Sequence, residues 1–327
     1  MKALVYEGIG KLAYSDLPEP QSGFLVRVSG AGICGTDLKT YLKGHHLFTP
    51  PAVLGHEFIG SVAKAPAFSG FEQGEAVVVA PYRECGSCLL CRSGEGSLCK
   101  GKSFVAGGAF AELVGIDHGY VARGVFRIPS LDPVYSLVEP LACVLNGVEH
   151  LRLREGSKVL IVGSGPMGAL FALYFQSMKI PLAVVEPNPL RRGIVSSWGI
   201  EAVEPEGFKA GDFDNIVIAV NKKELVSSYI EAVRDGGTVL MFSGLGRQDR
   251  VEVDSYSIHY RQVALTGSFG YAMPQFLRAL ELVKADPEGF ARVITHRLPL
   301  SEGKAAFDLL SRGEAFKIVL EPEGSGA

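Results

Sequence analysis

Short apolar runs broken by turn residues open the chain. Leu25-Val26-Arg27-Val28 reads as a short strand with β-branched positions, and Ala76-Val77-Val78-Val79-Ala80 as a buried one. Through the first 140 residues Gly, Pro and Ser interrupt such runs at intervals, the pattern of an all-β barrel. The period changes near Gly156. Residues 158–162 read as a strand, and 166–178 as a helix with Met167, Leu170, Phe171, Tyr174 and Phe175 at helical spacing. A strand at 182–185, a helix at 189–198, a strand at 215–220, a helix at 223–233 and a strand at 238–242 follow. Strands alternating with helices of this length predict right-handed βαβ units and a doubly wound parallel sheet. A helix at 274–283 leads into another short α/β stretch, and residues 322–327 read as a frayed tail. The fold class is α/β, with a β-rich part ahead of the parallel sheet.

Length and charge narrow the function. The 327 residues suggest two domains at ~150 residues each. A formal net charge of −3 offers no basic field for a polyanion, so no nucleic-acid partner is expected. The start, Met1-Lys2-Ala3-Leu4-Val5-Tyr6-Glu7, meets an acid before an apolar run can form, unlike a secretory signal. Apolar runs such as residues 169–175 are too short to span a bilayer. No membrane partner is expected, and the cytoplasm is the default compartment. Of six cysteines, four crowd into fifteen residues, which in a chain without an export signal favours metal over disulfides.

Those four are Cys85, Cys88, Cys91 and Cys99, spaced x2, x2 and x7 on a loop at 84–100. An all-thiolate set with no open position is the structural type of zinc site, one that clamps a loop unable to bury enough surface to hold itself. Redox-active thiols or an iron–sulfur cluster are the alternatives, but the run lacks ferredoxin spacing. A second constellation is more dispersed. Cys34 stands in Gly-Ile-Cys-Gly-Thr-Asp, His56 and Glu57 in Gly-His-Glu, and Glu139 in Val-Glu-Pro-Leu-Ala. A thiolate, an imidazole and carboxylates can surround one zinc and leave a position open, as a catalytic site requires. Taken singly, a lone Cys is packing and a His-Glu pair is filler; Cys143 is read as packing.

A third motif lies where the period changes. Val159-Leu160-Ile161-Val162 runs into Gly163-Ser164-Gly165-Pro166-Met167-Gly168 and then a helix, G-x-G-x-x-G in its strand–turn–helix setting. Gly163 makes the tight turn, Gly165 lets backbone approach a pyrophosphate, and Gly168 allows close helix–strand packing; Pro166 and Met167 begin the helix whose N-terminus faces the anion. Glu186 ends the next strand, where a carboxylate can accept from ribose hydroxyls and repel a 2′-phosphate, so NAD is favoured over NADP. Arg191 and Arg192 follow and could clamp such a phosphate; their ordinary role is a solvated first helical turn.

Together these motifs resemble the zinc-dependent medium-chain dehydrogenase/reductase family, in its sorbitol (polyol) and threonine dehydrogenase branch. Gly108-Ala109-Phe110-Ala111-Glu112 and Ile294-Thr295-His296-Arg297-Leu298-Pro299-Leu300 look like the same branch, so the resemblance covers nearly the whole chain. It implies a GroES-like catalytic domain from both chain ends (1–145 and 271–327), a Rossmann domain at 146–270 and a cleft between them. It implies catalytic zinc on Cys34, His56 and Glu57, with Glu139 completing the shell or holding a metal-bound water. Ethanol-type relatives carry a cysteine near that last place, so Glu139 favours the polyol branch. The implied reaction is hydride transfer between NAD and a secondary alcohol or ketone of a polyol, cyclitol or sugar, Thr36 taking the alcohol proton. Many relatives have a histidine where this chain has Lys39, which weakens the threonine dehydrogenase alternative; the proton could then leave through the ribose and water, or through His45 or His46, which more ordinarily sit on an exposed loop. A non-catalytic NAD-binding protein is the remaining alternative, and intact Cys34, His56 and Glu57 argue against it. The family forms dimers and tetramers, so a homodimer or homotetramer is expected. Segments 238–242 and 263–266 could form a pairing edge, but their composition ranks both as internal.

Overall fold

A computed structural model describes residues 1–324, and these divide into two compact units. The first comprises Met1–Ala142 and the segment from Ala272 onward; the second is Cys143–Tyr271.

In the first unit the strand Phe24–Gly32 is the hub, its side chains alternating between core and surface over its first half. It pairs antiparallel with Glu57–Lys64 along one edge. Its other edge takes Leu113–Ile116 on the N-terminal half and Lys317–Glu321 on the C-terminal half. Ala76–Val79 and Val125–Arg127 extend the sheet on one side, and Ile294–Pro299 closes the other, giving seven strands. Phe24, Val26, Val28, Phe58, Val62, Val77, Val79, Phe110 and Phe307 fill the core.

The first 140 residues are not all strand. Helix Gly35–Lys43 sits between Phe24–Gly32 and Glu57–Lys64. It escapes an apolar-period reading because only Asp37, Thr40 and Tyr41 of it are buried, two of them polar. The end of the chain is likewise better anchored than its composition predicts. Glu323 accepts from the Tyr14 hydroxyl at 2.6 Å and from the Ser301 amide at 3.2 Å. Residues 325–327 of the expected tail lie outside the described residues.

The second unit holds a six-stranded, all-parallel sheet. Its order is Glu201–Val203, Leu182–Val185, Val159–Val162, Asn215–Ile218, Thr238–Met241, Ala264–Gly267, or 3-2-1-4-5-6 in chain order. That is the dinucleotide-binding order, with its switch point beside the first strand. Val159–Val162 is buried throughout, and helix Pro166–Ser177 is buried from Gly168 to Phe175, so it reads apolar all round. The expectation that 263–266 is internal does not hold. Ala264–Gly267 is an edge strand, half-buried and hydrogen-bonded on one side only, whereas Thr238–Met241 is internal.

Candidate active site and metal centres

Sheet register assembles the first centre. Gly32 pairs with Glu57 on one side and with Val319 on the other, so the strand bearing Lys317 lies across Gly32 from the one bearing Glu57. Gly32 must lack a side chain here, since a Cβ would stand 2.4 Å from Glu57 Oε2. Lys317 Nζ donates to that oxygen at 2.5 Å and to the Ile33 carbonyl at 3.2 Å. Both side chains of this ion pair are completely enclosed, at 1% and 0% exposure. Glu57 Oε1 is buried without a hydrogen-bond partner.

Beside Glu57 the chain places Cys34, the N-cap of helix Gly35–Lys43, and His56, which precedes strand Glu57–Lys64. One ligand-capable atom from each of Cys34, His56 and Glu57 lies within 4.8 Å of the others. Asp37, fully buried, organises two of the three. Its Oδ2 accepts from the Cys34 amide at 2.9 Å, and its Oδ1 accepts from the Gly55 amide at 3.2 Å and lies 3.6 Å from His56 Nδ1. Burial alone would push the His56 imidazole down, but the Asp37 carboxylate and the Cys34 thiol outweigh it and hold the imidazole well above its ordinary value. Sulfur, nitrogen and an unpartnered carboxylate oxygen in a pocket that favours positive charge fit a borderline-soft cation such as zinc.

Glu139, in the first turn of helix Val138–Glu149, is only 6% exposed. Burial pushes its carboxyl up to about 7, and the charges of His56, Glu57, Lys317 and Asp37 also act on it. It stands outside the three-residue group. Thr36 is half-buried in the first turn after Cys34, with Lys39 exposed three residues on. His45 is half-buried and stacks on exposed His46 with ring centroids 4.5 Å apart, beyond the end of the helix.

Cys85, Cys88, Cys91 and Cys99 form the second group, their sulfurs also within 4.8 Å of one another. Sulfur separations of 3.8 Å (Cys85–Cys91), 3.4 Å (Cys88–Cys91) and 3.8 Å (Cys88–Cys99) approach the edge of a tetrahedron with ~2.3 Å metal–sulfur bonds, about 3.8 Å. Hydrogen bonds led by the Ser87 amide pull the Cys85 thiol down to about 5, while burial pushes Cys91 up to about 12. The thiols thus oppose full ionisation together, and a bound cation removes that conflict.

In the second unit the glycine turn has the conformation its motif requires. Gly163 has φ +90°, and a Cβ on it would meet Val220 Cγ1 at 2.1 Å; one on Gly168 would lie 1.9 Å from the Gly163 carbonyl oxygen. Nothing lies within 4 Å of a Cβ built on Gly165, the N-cap of helix Pro166–Ser177. Gly165, Pro166 and Met167 are part-exposed at a helix N-terminus, which suits a pyrophosphate. Glu186 faces inward. Its Oε2 accepts from the Ser164 amide at 2.7 Å and the Ser164 hydroxyl at 3.0 Å, and its Oε1 accepts from the Asn188 amide at 2.9 Å. Nor is the next helix start a purely solvated turn. Arg192 bonds the Glu186 and Pro187 carbonyls and pairs with Glu204, while half-buried Arg191 keeps its Nε without a partner.

Three supporting residues escape sequence reasoning. Lys317 signals itself only as a lone lysine inside Ala-Phe-Lys-Ile-Val-Leu, a charge where a buried strand is otherwise apolar. Asp37 and Ser164 lie within quoted motifs, but their partners are fixed by folding.

Residues 20–129 match the alcohol dehydrogenase GroES-like domain. The chain is 33% identical over 322 residues to D-altritol 5-dehydrogenase of Agrobacterium fabrum, covering 92% of this chain and 94% of that protein. It is 27% identical to a sorbitol dehydrogenase of Halalkalibacterium halodurans, over 98% of this chain and 99% of that one. Among solved structures it resembles a zinc-binding dehydrogenase of Sinorhizobium meliloti bound to NADP, with a TM-score of 0.84, 29% identity and coverage of 98% and 99%.

Proposed function

The chain belongs to the zinc-dependent medium-chain alcohol dehydrogenase family, in its polyol dehydrogenase branch, and on that footing we propose that it moves a hydride between a secondary alcohol of a polyol, cyclitol or sugar and NAD. The observation that carries this reading is the clustering of donor atoms from Cys34, His56 and Glu57, together with a Glu57 Oε1 that is buried and unpartnered. These three residues would hold the catalytic zinc, with Glu139 beside them. Zinc bound there supplies a Lewis acid that makes an alcohol hydroxyl easier to deprotonate.

The chain's own residues do the rest. Lys317 fixes one Glu57 oxygen and leaves the other for the ion. Asp37 holds His56 by one ring nitrogen and leaves the second for ligation. The Thr36 hydroxyl, in the turn that follows Cys34, accepts the substrate proton as it passes its own on to the cofactor ribose and water. Lys39 lies three residues on, at the helical spacing that puts it on the same face. The turn from Gly163 to Gly168, with Pro166 and Met167, receives the pyrophosphate, and Glu186 and Arg191 flank the adenosine ribose. The four-cysteine group takes a second, structural zinc.

The edge strand Ala264–Gly267, open on one side, supports a homodimer or homotetramer built on sheet pairing. No helix among the described residues is long and apolar enough to cross a membrane. A four-cysteine cluster read as a zinc site supports the reducing cytoplasm as the compartment.

Metal analysis of the intact chain tests the centre. Two zinc ions are expected, falling to one in Cys34→Ser. NADH formation over a panel of polyols, inositols and amino alcohols tests the reaction. A single chelation-resistant ion with no turnover of any alcohol would overturn the reading.

A further inference from the structure

The mechanism leaves one serine unused. Ser164, the first variable residue of the glycine turn, is fully buried, and both its amide and its hydroxyl donate to the same oxygen of Glu186. The other Glu186 oxygen accepts from the Asn188 amide. The side chain that ends strand Leu182–Val185 is therefore held at both oxygens by three donors and is only 5% exposed. A carboxylate has about four acceptor positions, so about one remains for a ribose hydroxyl.

We infer that Ser164 is a positioning residue for cofactor selection: its hydroxyl pins the Glu186 carboxylate at the ribose position, so that a dinucleotide with a 2′-phosphate meets a negative group unable to swing aside. This rests on the assignment of the turn to a nicotinamide dinucleotide. Two features make pinning necessary. Arg191, two residues into the next helix, offers a buried Nε without a partner, a latent anion contact. Glutamate has one more rotatable bond than aspartate, and unpinned it could turn away and let Arg191 take the phosphate. Arg192 is held in place by the Glu186 and Pro187 carbonyls and by Glu204, which leaves Arg191 as the less engaged of the two arginines.

Removing the hydroxyl leaves the 2.7 Å amide bond in place, so the turn retains its backbone anchor in Ser164→Ala. The experiment is calorimetric titration of the full-length zinc-loaded protein with NADH and with NADPH, without substrate. The wild type should bind NADH more tightly by about tenfold or more, as like-charge juxtaposition requires. Ser164→Ala, which keeps both amide donors to Glu186, should lose part of that ratio, chiefly by gaining NADPH affinity, and Ser164→Thr should restore it. General loosening of the turn would weaken both dinucleotides together and leave the ratio unchanged. An unchanged ratio in Ser164→Ala, or equal affinities in the wild type, overturns the role of Ser164 while leaving the turn as a dinucleotide site. Binding of neither dinucleotide overturns that assignment and this inference with it.

Discussion

The two cysteine-bearing centres of the first unit are held in different ways. In the four-cysteine loop the supporting donors include main-chain amides: Cys85 N–H donates to Cys99 Sγ and Cys88 N–H to Cys85 Sγ, each at 3.4 Å. All four ligands come from one short stretch, and three of them are part-exposed. At Cys34, His56 and Glu57 the support comes from other side chains. Asp37 orients the histidine and Lys317 the glutamate, the latter from 260 residues away along the chain. A loop centre thus carries its scaffold within its own backbone, whereas a centre at a sheet crossing borrows it from distant side chains. The first should tolerate changes around its ligands; the second should not.

Removing Lys317 tests that contrast most severely. Lys317→Met would leave the Glu57 carboxylate enclosed without its hydrogen-bonded cation, a loss of up to about 3–5 kcal/mol in the metal-free protein. Chemical denaturation with and without zinc would measure it. Zinc should recover part of the loss, since it supplies positive charge to the same carboxylate. A variant as stable as wild type without metal would show that the ion pair does not organise the site.

Asp37→Asn should act on the metal rather than on the fold. Loss of an outer partner to a ligating histidine costs about 10–100-fold in metal affinity. Competition with a chromogenic chelator should show this loss for one ion per chain, while the ion of the four-cysteine loop keeps its affinity. Equal weakening of both ions would mean that Asp37 acts through general stability.

The smallest effect is expected at Ser87, whose hydroxyl lies 3.6 Å from Cys85 Sγ on the exposed side of the loop. Ser87→Ala removes that contact but none of the amide donors, and stability should stay within about 0.5 kcal/mol of wild type, as for other surface changes. Zinc loss from this variant would place the loop's support in its side chains and erase the difference between the two centres.

Sequence legibility follows the same division. The four-cysteine loop is readable because its ligands are neighbours along the chain. The glycine turn is readable because its requirements are local: a positive φ at Gly163 and a close approach at Gly168. The strands and helices of the second unit lie within a few residues of their predicted positions, since sheets buried on both faces leave continuous apolar runs. Helix Gly35–Lys43 and edge strand Ala264–Gly267 were less accessible. One is too polar for a periodic stripe, and the other's exposure depends on which strand lies beside it.

By itself, then, the order of residues determined which chemistry this protein could hold: two sets of metal-ligand types, a phosphate-binding turn, and the alternation that makes a parallel sheet. Only the tertiary structure decided that Lys317 would take one oxygen of Glu57 and leave the other unpartnered, and that Glu186 would turn inward onto Ser164. The physical reason is range. Dihedral preference and apolar period act over a few neighbouring residues, whereas the partner of a buried charge is set by sheet register between segments far apart in the chain.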